Sequence, residues 1–248
     1  MWKNIEKAIR QHDPGFTLVG RQSCGGGCIN DTWRLQGRES DYFIKLNAAN
    51  LADMFAAEAA GLEELAATDT VRVPRVVYHG VAGKQAFLVL EYLDLRAGGG
   101  AADSRLGEQL AALHRIRQPY FGWQRDNTIG STPQPNGAAT DWIAFWSEQR
   151  LGFQLRLAAK KGGGNRLQSQ GERLLENLPA LFTGYQPQPS LLHGDLWGGN
   201  YAVTSADQPV IFDPACYYGD READLAMSEL FGGFSSGFQV AYRSAWPV

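Results

Sequence analysis

The stretch HGDLWGGN, His193 to Asn200, followed by VIFDPA with its acid at Asp213, decides the reading of this chain. Asp195 and Asn200 stand five positions apart, and Asp213 follows at the end of a β-branched run. An acid in such a loop can orient a hydroxyl nucleophile and take its proton as the new bond forms. An amide and a second carboxylate offer the hard oxygens that Mg²⁺ prefers. The residues between them read as a ribbon: Tyr201 to Thr204 up, Ser205 to Gln208 turning, Pro209 to Phe212 back. That geometry brings Asn200 and Asp213 to the same end of two paired strands. Oxygen ligands gathered around one hairpin point to chemistry on a phosphoryl group.

Further upstream, Lys45 ends a Tyr-Phe-Ile-Lys strand, and Glu58 lies on the helical stretch that follows. A lysine there can reach inward to the α- and β-phosphates of ATP, with Glu58 holding it extended. Ahead of it, Gly25, Gly26 and Gly27 leave backbone amides free to approach phosphate without Cβ interference. Cys28 shares that loop. Val89 to Leu93 (VLEYL) is the hinge candidate, where the Glu91 carbonyl and the Leu93 amide can pair with adenine.

The pattern around these residues gives the organisation. Trp2, Ile5 and Ile9 share one face of an N-terminal helix, and there is no apolar leader segment. Strands are expected at Phe16 to Gln22, Ile29 to Leu35, Asp41 to Leu46, Val76 to His79 and Ala86 to Glu91, with a helix from Leu51 to Ala67. Tyr92 to Gly100 reads as a linker. Beyond it the chain is mostly helical: SRLGEQLAALHRI, Thr140 to Lys160, Asn165 to Phe182 and Glu222 to Phe231. Gln118 to Gly137, rich in Pro, Gly and Asn, reads as an ordered loop or insertion, and Asp126 to Asn136 within it as a loop near the cleft mouth. The expected fold class is α+β with two lobes. Residues 1–92 form a small antiparallel β-sheet lobe with one main helix that binds nucleotide. Residues 93–248 form a mostly helical lobe carrying the catalytic loop and acceptor site.

Composition narrows the function classes. The 248 residues are 44% hydrophobic, enough for a full core, and the net charge is −3. An acidic balance lacks the basic face that sequence-independent nucleic-acid binding requires. Three cysteines are too few for a disulfide framework, so a reducing compartment, the cytoplasm, is expected. Cys24 and Cys28 lack a second ligand pair for zinc. No window approaches the length of a membrane span.

Taken together, GGGCIN (Gly25 to Asn30), FIK (Phe43 to Lys45), MFAAE (Met54 to Glu58), LLHGDLWGGN (Leu191 to Asn200), FDPACYYGDREADLAM (Phe212 to Met227) and FGGF (Phe231 to Phe234) resemble the fructosamine kinase (ketosamine-3-kinase) family. That family lies within the protein-kinase-like and aminoglycoside-phosphotransferase fold. The resemblance covers nearly the whole chain. It implies ATP-dependent phosphorylation of the 3-hydroxyl of a ketosamine, free or protein-bound, by a monomer or homodimer. By resemblance Asp195 is the base, Asn200 and Asp213 hold metal, and Lys45 with Glu58 forms the phosphate clamp. Trp197 stands where the family places an aromatic against the sugar, and an indole face suits a sugar or a cationic amine. DPA replaces the DFG of protein kinases and no APE segment follows, which argues against a Ser/Thr protein kinase. The chain ends at SAWPV, where the family continues into further helices, so a shorter wall on the acceptor side is expected.

Three side readings complete the expectations. Cys28 is a candidate for oxidation that blocks ATP entry. His114 reads as a core histidine, His193 as a brace for the catalytic loop, and Asp224 as a carboxylate bonding back to that loop. The alternative acceptor is another amino sugar, an aminoglycoside or a choline-like molecule, and Asp220, Glu222 and Asp224 would suit a polycationic one; a nucleotide sensor without turnover is the alternative of another class.

Overall fold

The computed structural model describes residues 1–25 and 29–247. In chain order the elements are α1 (Trp2–His12), β1 (Leu18–Cys24), β2 (Asp31–Gly37), β3 (Tyr42–Ala48), α2 (Ala52–Ala67), β4 (Val76–Ala82), β5 (Gln85–Glu91) and β6 (Leu95–Arg96). There follow α3 (Ala101–His114), β7 (Asn127–Ile129), β8 (Thr132–Gln134), α4 (Trp142–Trp146), a π turn (Ser147–Leu151), α5 (Gly152–Lys160) and α6 (Asn165–Leu181). The last are β9 (Ser190–Leu192), β10 (Tyr201–Thr204), β11 (Pro209–Ile211), β12 (Tyr217–Gly219), α7 (Glu222–Leu230) and α8 (Ser236–Ala245).

The first five strands form one antiparallel sheet in the order β1-β2-β3-β5-β4. Successive side chains of a strand face opposite sides. On β3, Tyr42, Ile44 and Leu46 therefore enter a core with Ile5 and Ile9 of α1, while Phe43 packs against the larger core beyond. Lys45 shares the side of Phe43, so β-strand alternation is what turns it away from α1. Ile5 and Ile9 are fully buried, each contributing roughly 1.5–3 kcal/mol. Helix α2 lies on the opposite side, with Phe55, Ala59, Leu62 and Leu65 in the larger core.

The ribbon expected from the sequence is present. Tyr201 pairs with Ile211 and Val203 with Pro209, and the Phe212 amide donates to the Asn200 carbonyl at 3.1 Å. Asn200 and Asp213 thus sit at one end of it. The linker expected at Tyr92 to Gly100 is not featureless: β6 adds to the ribbon as a third strand beside β10. The Thr140 to Lys160 helix is interrupted by the π turn, and Gln118 to Gly137 contains the β7–β8 hairpin. Helix α8 was not expected. Its Phe238 and Tyr242, one turn apart, are fully buried against α3, where a Cβ on Gly107 would come within 2.3 Å of the Phe238 carbonyl oxygen. Among the described residues no helix is long and apolar enough to cross a membrane.

Candidate functional site

A cavity of about 800 Å³ lies between the five-stranded sheet and the helical part, within the range of cofactor-sized pockets. Its walls carry Gly25, Lys45, Glu58, Glu91, Leu93, Asp195, Trp197, Asn200 and Asp213. Sequence positions far apart are therefore brought to one place. Gly26, Gly27 and Cys28 lie outside the described residues.

Lys45 is 3% exposed and its Nζ donates to Glu58 Oε1 at 2.6 Å and to Asp213 Oδ1 at 2.5 Å. Burial pulls the ammonium pKa down, but the two carboxylates outweigh it and hold the group protonated above its ordinary range. Burial and the nearby Asp213 charge push the Glu58 carboxyl up, while Lys45 pulls against them. The Asp213 contact was not foreseen: the lysine bridges the sheet part and the ribbon part directly.

The catalytic-loop candidate is braced from beneath. Buried His193 donates from Nε2 to the Phe212 carbonyl at 3.0 Å, and its Nδ1 accepts from the Asp195 amide at 3.3 Å. These partners assign the neutral tautomer, and burial holds its pKa below the ordinary value. Asp224 of α7 accepts from the His193 amide at 2.7 Å and the Gly194 amide at 2.9 Å, as the sequence suggested. His114, in the core, bonds Tyr242 Oη at 2.8 Å and Asp224 at 3.2 Å. Gly194 has φ 81°, and a Cβ there would come 2.1 Å from the Ala215 carbonyl oxygen. Only glycine lets the two main chains touch.

Asp195 carries a pKa raised by burial, partly offset by His193 and by Asn200. Asn200 Nδ2 donates to both the Asp195 carbonyl (2.9 Å) and Asp195 Oδ2 (3.1 Å), which leaves the amide oxygen of Asn200 available. Asp213 has φ 58°, a conformation that non-glycine residues hold at a cost of roughly 1–3 kcal/mol. Asn200 and Asp213 therefore present hard oxygens at adjoining ends of the ribbon, a donor set that fits Mg²⁺ once phosphate oxygens complete it.

Two further features shape the cavity. Trp197 is 40% exposed, stands edge-on to the exposed Phe231 at 6.1 Å, and lies against Gly199, where a Cβ would come 2.3 Å from the indole. At the opposite end the Leu93 amide has no hydrogen-bond partner among the described residues, whereas the Tyr92 amide is taken by the Asp41 carbonyl.

The helix that carries Glu58 is held at a second point. Glu64 accepts from Trp123 Nε1 at 2.5 Å and from Tyr218 Oη at 2.8 Å. Gly61 meanwhile packs against Cys216, whose sulfur would lie 3.2 Å from a Cβ at that glycine. Neither Glu64 nor the β7–β8 contacts were singled out from sequence. A glutamate one and a half turns beyond Glu58 on the same helix was the available signal.

A family profile described as Fructosamine kinase matches residues 1–248. The chain is 46% identical over 249 aligned positions to a Synechocystis protein named "Probable ketoamine kinase", covering all of this chain and 83% of that one. It is 41% identical to the chloroplastic protein-ribulosamine 3-kinase of Arabidopsis thaliana, over 94% of this chain and 71% of the relative. A Haemophilus somnus 129PT crystal structure, provisionally named a fructosamine-3-kinase, superposes with a TM-score of 0.92 at 31% identity, covering 100% of this chain and 83% of that one. An aminoglycoside-3'-phosphotransferase of type VIII shares the fold at a TM-score of 0.58 and 21% identity. The match of profile, sequence and backbone over the same full length has one reading: the chain belongs to the fructosamine kinase family.

Proposed function

We propose that this chain transfers the γ-phosphoryl group of ATP to the 3-hydroxyl of a ketosamine, with Asp195 as the base. The observation that carries the reading is the convergence of Asp195, Asn200, Asp213 and Lys45 on one cavity that Trp197 also lines. In this reading residues 1–92 supply the nucleotide side and residues 93–248 the acceptor side. Adenine pairs with the Glu91 carbonyl and the free Leu93 amide. Lys45, kept extended by Glu58, neutralises the α- and β-phosphates. Asn200 and Asp213 hold Mg²⁺, which when bound would neutralise charge on the β- and γ-phosphates.

A sugar hydroxyl is a very weak acid, so its proton moves to Asp195 only as the oxygen–phosphorus bond forms. Asn200 fixes the Asp195 carboxylate by donating to Oδ2. The indole of Trp197, with Phe231 beside it, offers a face for the C–H surface of the sugar or for its cationic amine. A polycationic acceptor finds less support. Asp224 is spent on the catalytic loop, and Asp220 is 4% exposed, bonded to Tyr185 and the Glu222 amide.

The experiment is phosphate transfer to a panel of ribulosamines and fructosamines, with nucleotide binding followed in parallel. Asp195→Asn is expected to abolish transfer while ADP still binds. Binding of nucleotide by the parent protein with no transfer to any ketosamine would favour a sensor and sink the reading.

A further inference from the structure

We propose that Asn127 is a positioning residue for the segment that carries Asp213, acting through the carbonyls of Ala215 and Cys216. The inference rests on the kinase reading above. Asn127 opens the β7–β8 hairpin and is 8% exposed. Its Nδ2 donates to the Cys216 carbonyl at 2.8 Å, and its Oδ1 accepts from Gln134 and Asn136, each at 2.9 Å. Gln134 also donates to the Ala215 carbonyl at 3.0 Å. Asn136 is anchored in turn by Arg150, which donates to its Oδ1 at 2.7 Å and stacks over Tyr217 at 4.0 Å.

Buried amides are costly unless their hydrogen bonds are met. Here three of them meet at Asn127 Oδ1, and two of them, Asn127 and Gln134, spend their outward bonds on the consecutive Cys216 and Ala215 carbonyls just past Asp213. From the other side the Ala215 amide donates to the His193 carbonyl at 2.9 Å. The backbone is thereby gripped from both sides two residues after a left-handed aspartate, which is what holding such a conformation requires. Helix α7 starts at Glu222, so no long activation segment takes part in this support. The outer end of the same hairpin places Thr128 and Gly130 in the cavity wall, with Gly130 close to Ile29 on the nucleotide side. The hairpin is thus part of the phosphate-handling apparatus and not a surface decoration.

Asn127→Leu tests this with little disturbance of shape. Gln134 keeps the Ala215 carbonyl and Asn136 keeps the Arg125 carbonyl; the Cys216 carbonyl loses its donor, and Gln134 and Asn136 each lose Asn127 Oδ1 as an acceptor. ADP affinity is measured by calorimetry with and without Mg²⁺, for the parent, Asn127→Leu and Gln134→Leu. The magnesium-dependent gain in affinity should fall about tenfold in Asn127→Leu, the usual size of loss when a group behind a metal ligand is removed. Affinity without magnesium should stay unchanged. A full magnesium-dependent gain in the variant, or an equal loss with and without the ion, overturns the proposal. Should Asn127→Leu not fold, Gln134→Leu reports the same comparison through Ala215. A parent protein that binds ADP with Mg²⁺ yet transfers nothing to a ketosamine refutes the acceptor assignment alone; the calorimetric comparison still decides the role of Asn127.

Discussion

Replacing Asp224 with asparagine should destabilise the protein by several kcal/mol and slow it at the same time. The carboxylate is 1% exposed and accepts from the amides of His193 and Gly194 at 2.7 and 2.9 Å, with His114 at 3.2 Å. Burial works to raise its pKa, but the bond from His114, the nearby imidazoles and the Gly194 amide outweigh it and hold the group below its ordinary value. Asparagine keeps the shape, yet its NH₂ must face one of those N–H groups. A hydrogen bond to a charged partner contributes about 1.5–3 kcal/mol, and a buried donor left unmet costs about 1–3 kcal/mol. The combined loss is about 3–5 kcal/mol, a large share of the ~5–15 kcal/mol that holds a domain folded. Urea denaturation near neutral pH reads it from the midpoint at constant slope. Because both amides belong to the loop bearing Asp195, kcat should fall more than KM. The folded pKa lies below the unfolded one, so this stabilisation is complete above the unfolded value and fades as pH falls through the folded one. The gap between parent and variant must therefore shrink in acid. A loss under about 1 kcal/mol with kcat intact refutes the reasoning.

Other perturbations have equally definite outcomes. Lys45→Met breaks a buried ion pair and should cost about 3–5 kcal/mol. With its counter-charge gone the raised Glu58 pKa climbs further, so that variant must lose stability as pH rises; equal denaturation midpoints in mild acid and base would contradict this. Gly194→Ala, forced to φ 81° with its methyl against the Ala215 carbonyl, should lose at least ~2 kcal/mol and most turnover. His193 is neutral with a depressed pKa, so its contribution is present above its unfolded value near 6.5 and is lost on acidification, at up to about 1.4 kcal/mol per pH unit. Urea midpoints followed from about pH 7 to pH 5 should show that slope, and His193→Asn should flatten it.

The parts of the site set by short-range chemistry were legible in the sequence. The spacing of Asp195 and Asn200 and the turn before Pro209 fix a ribbon by local rules, and strand alternation dictates which way Lys45 points. The unforeseen parts depend on contacts across the fold. Nothing local says that Lys45 will also grip Asp213, or that Asn127 will aim at Cys216, since each partner lies far along the chain. The linker at Tyr92 to Gly100 hid a strand because Leu95–Arg96 is too short to carry a period; β10 beside it supplies the pairing. The π turn at Ser147–Leu151 has no signature either, because it lies where the half-buried Arg150 reaches Asn136 and Pro135. Helix α8 is the miss that was avoidable. Phe238 and Tyr242 recur at helical spacing, which is the period of a buried helical face.

Glu64 has one more consequence. Protein kinases are switched by swinging the helix whose glutamate meets the strand lysine. In this protein the corresponding helix is moored to the opposite half by Trp123 and Tyr218, with Cys216 pressed into the notch at Gly61. A helix fastened at both ends moves only together with the parts it is tied to. Any change that shifts Trp123 or Tyr218 is therefore felt at the Lys45–Glu58 pair, through one rigid rod between them.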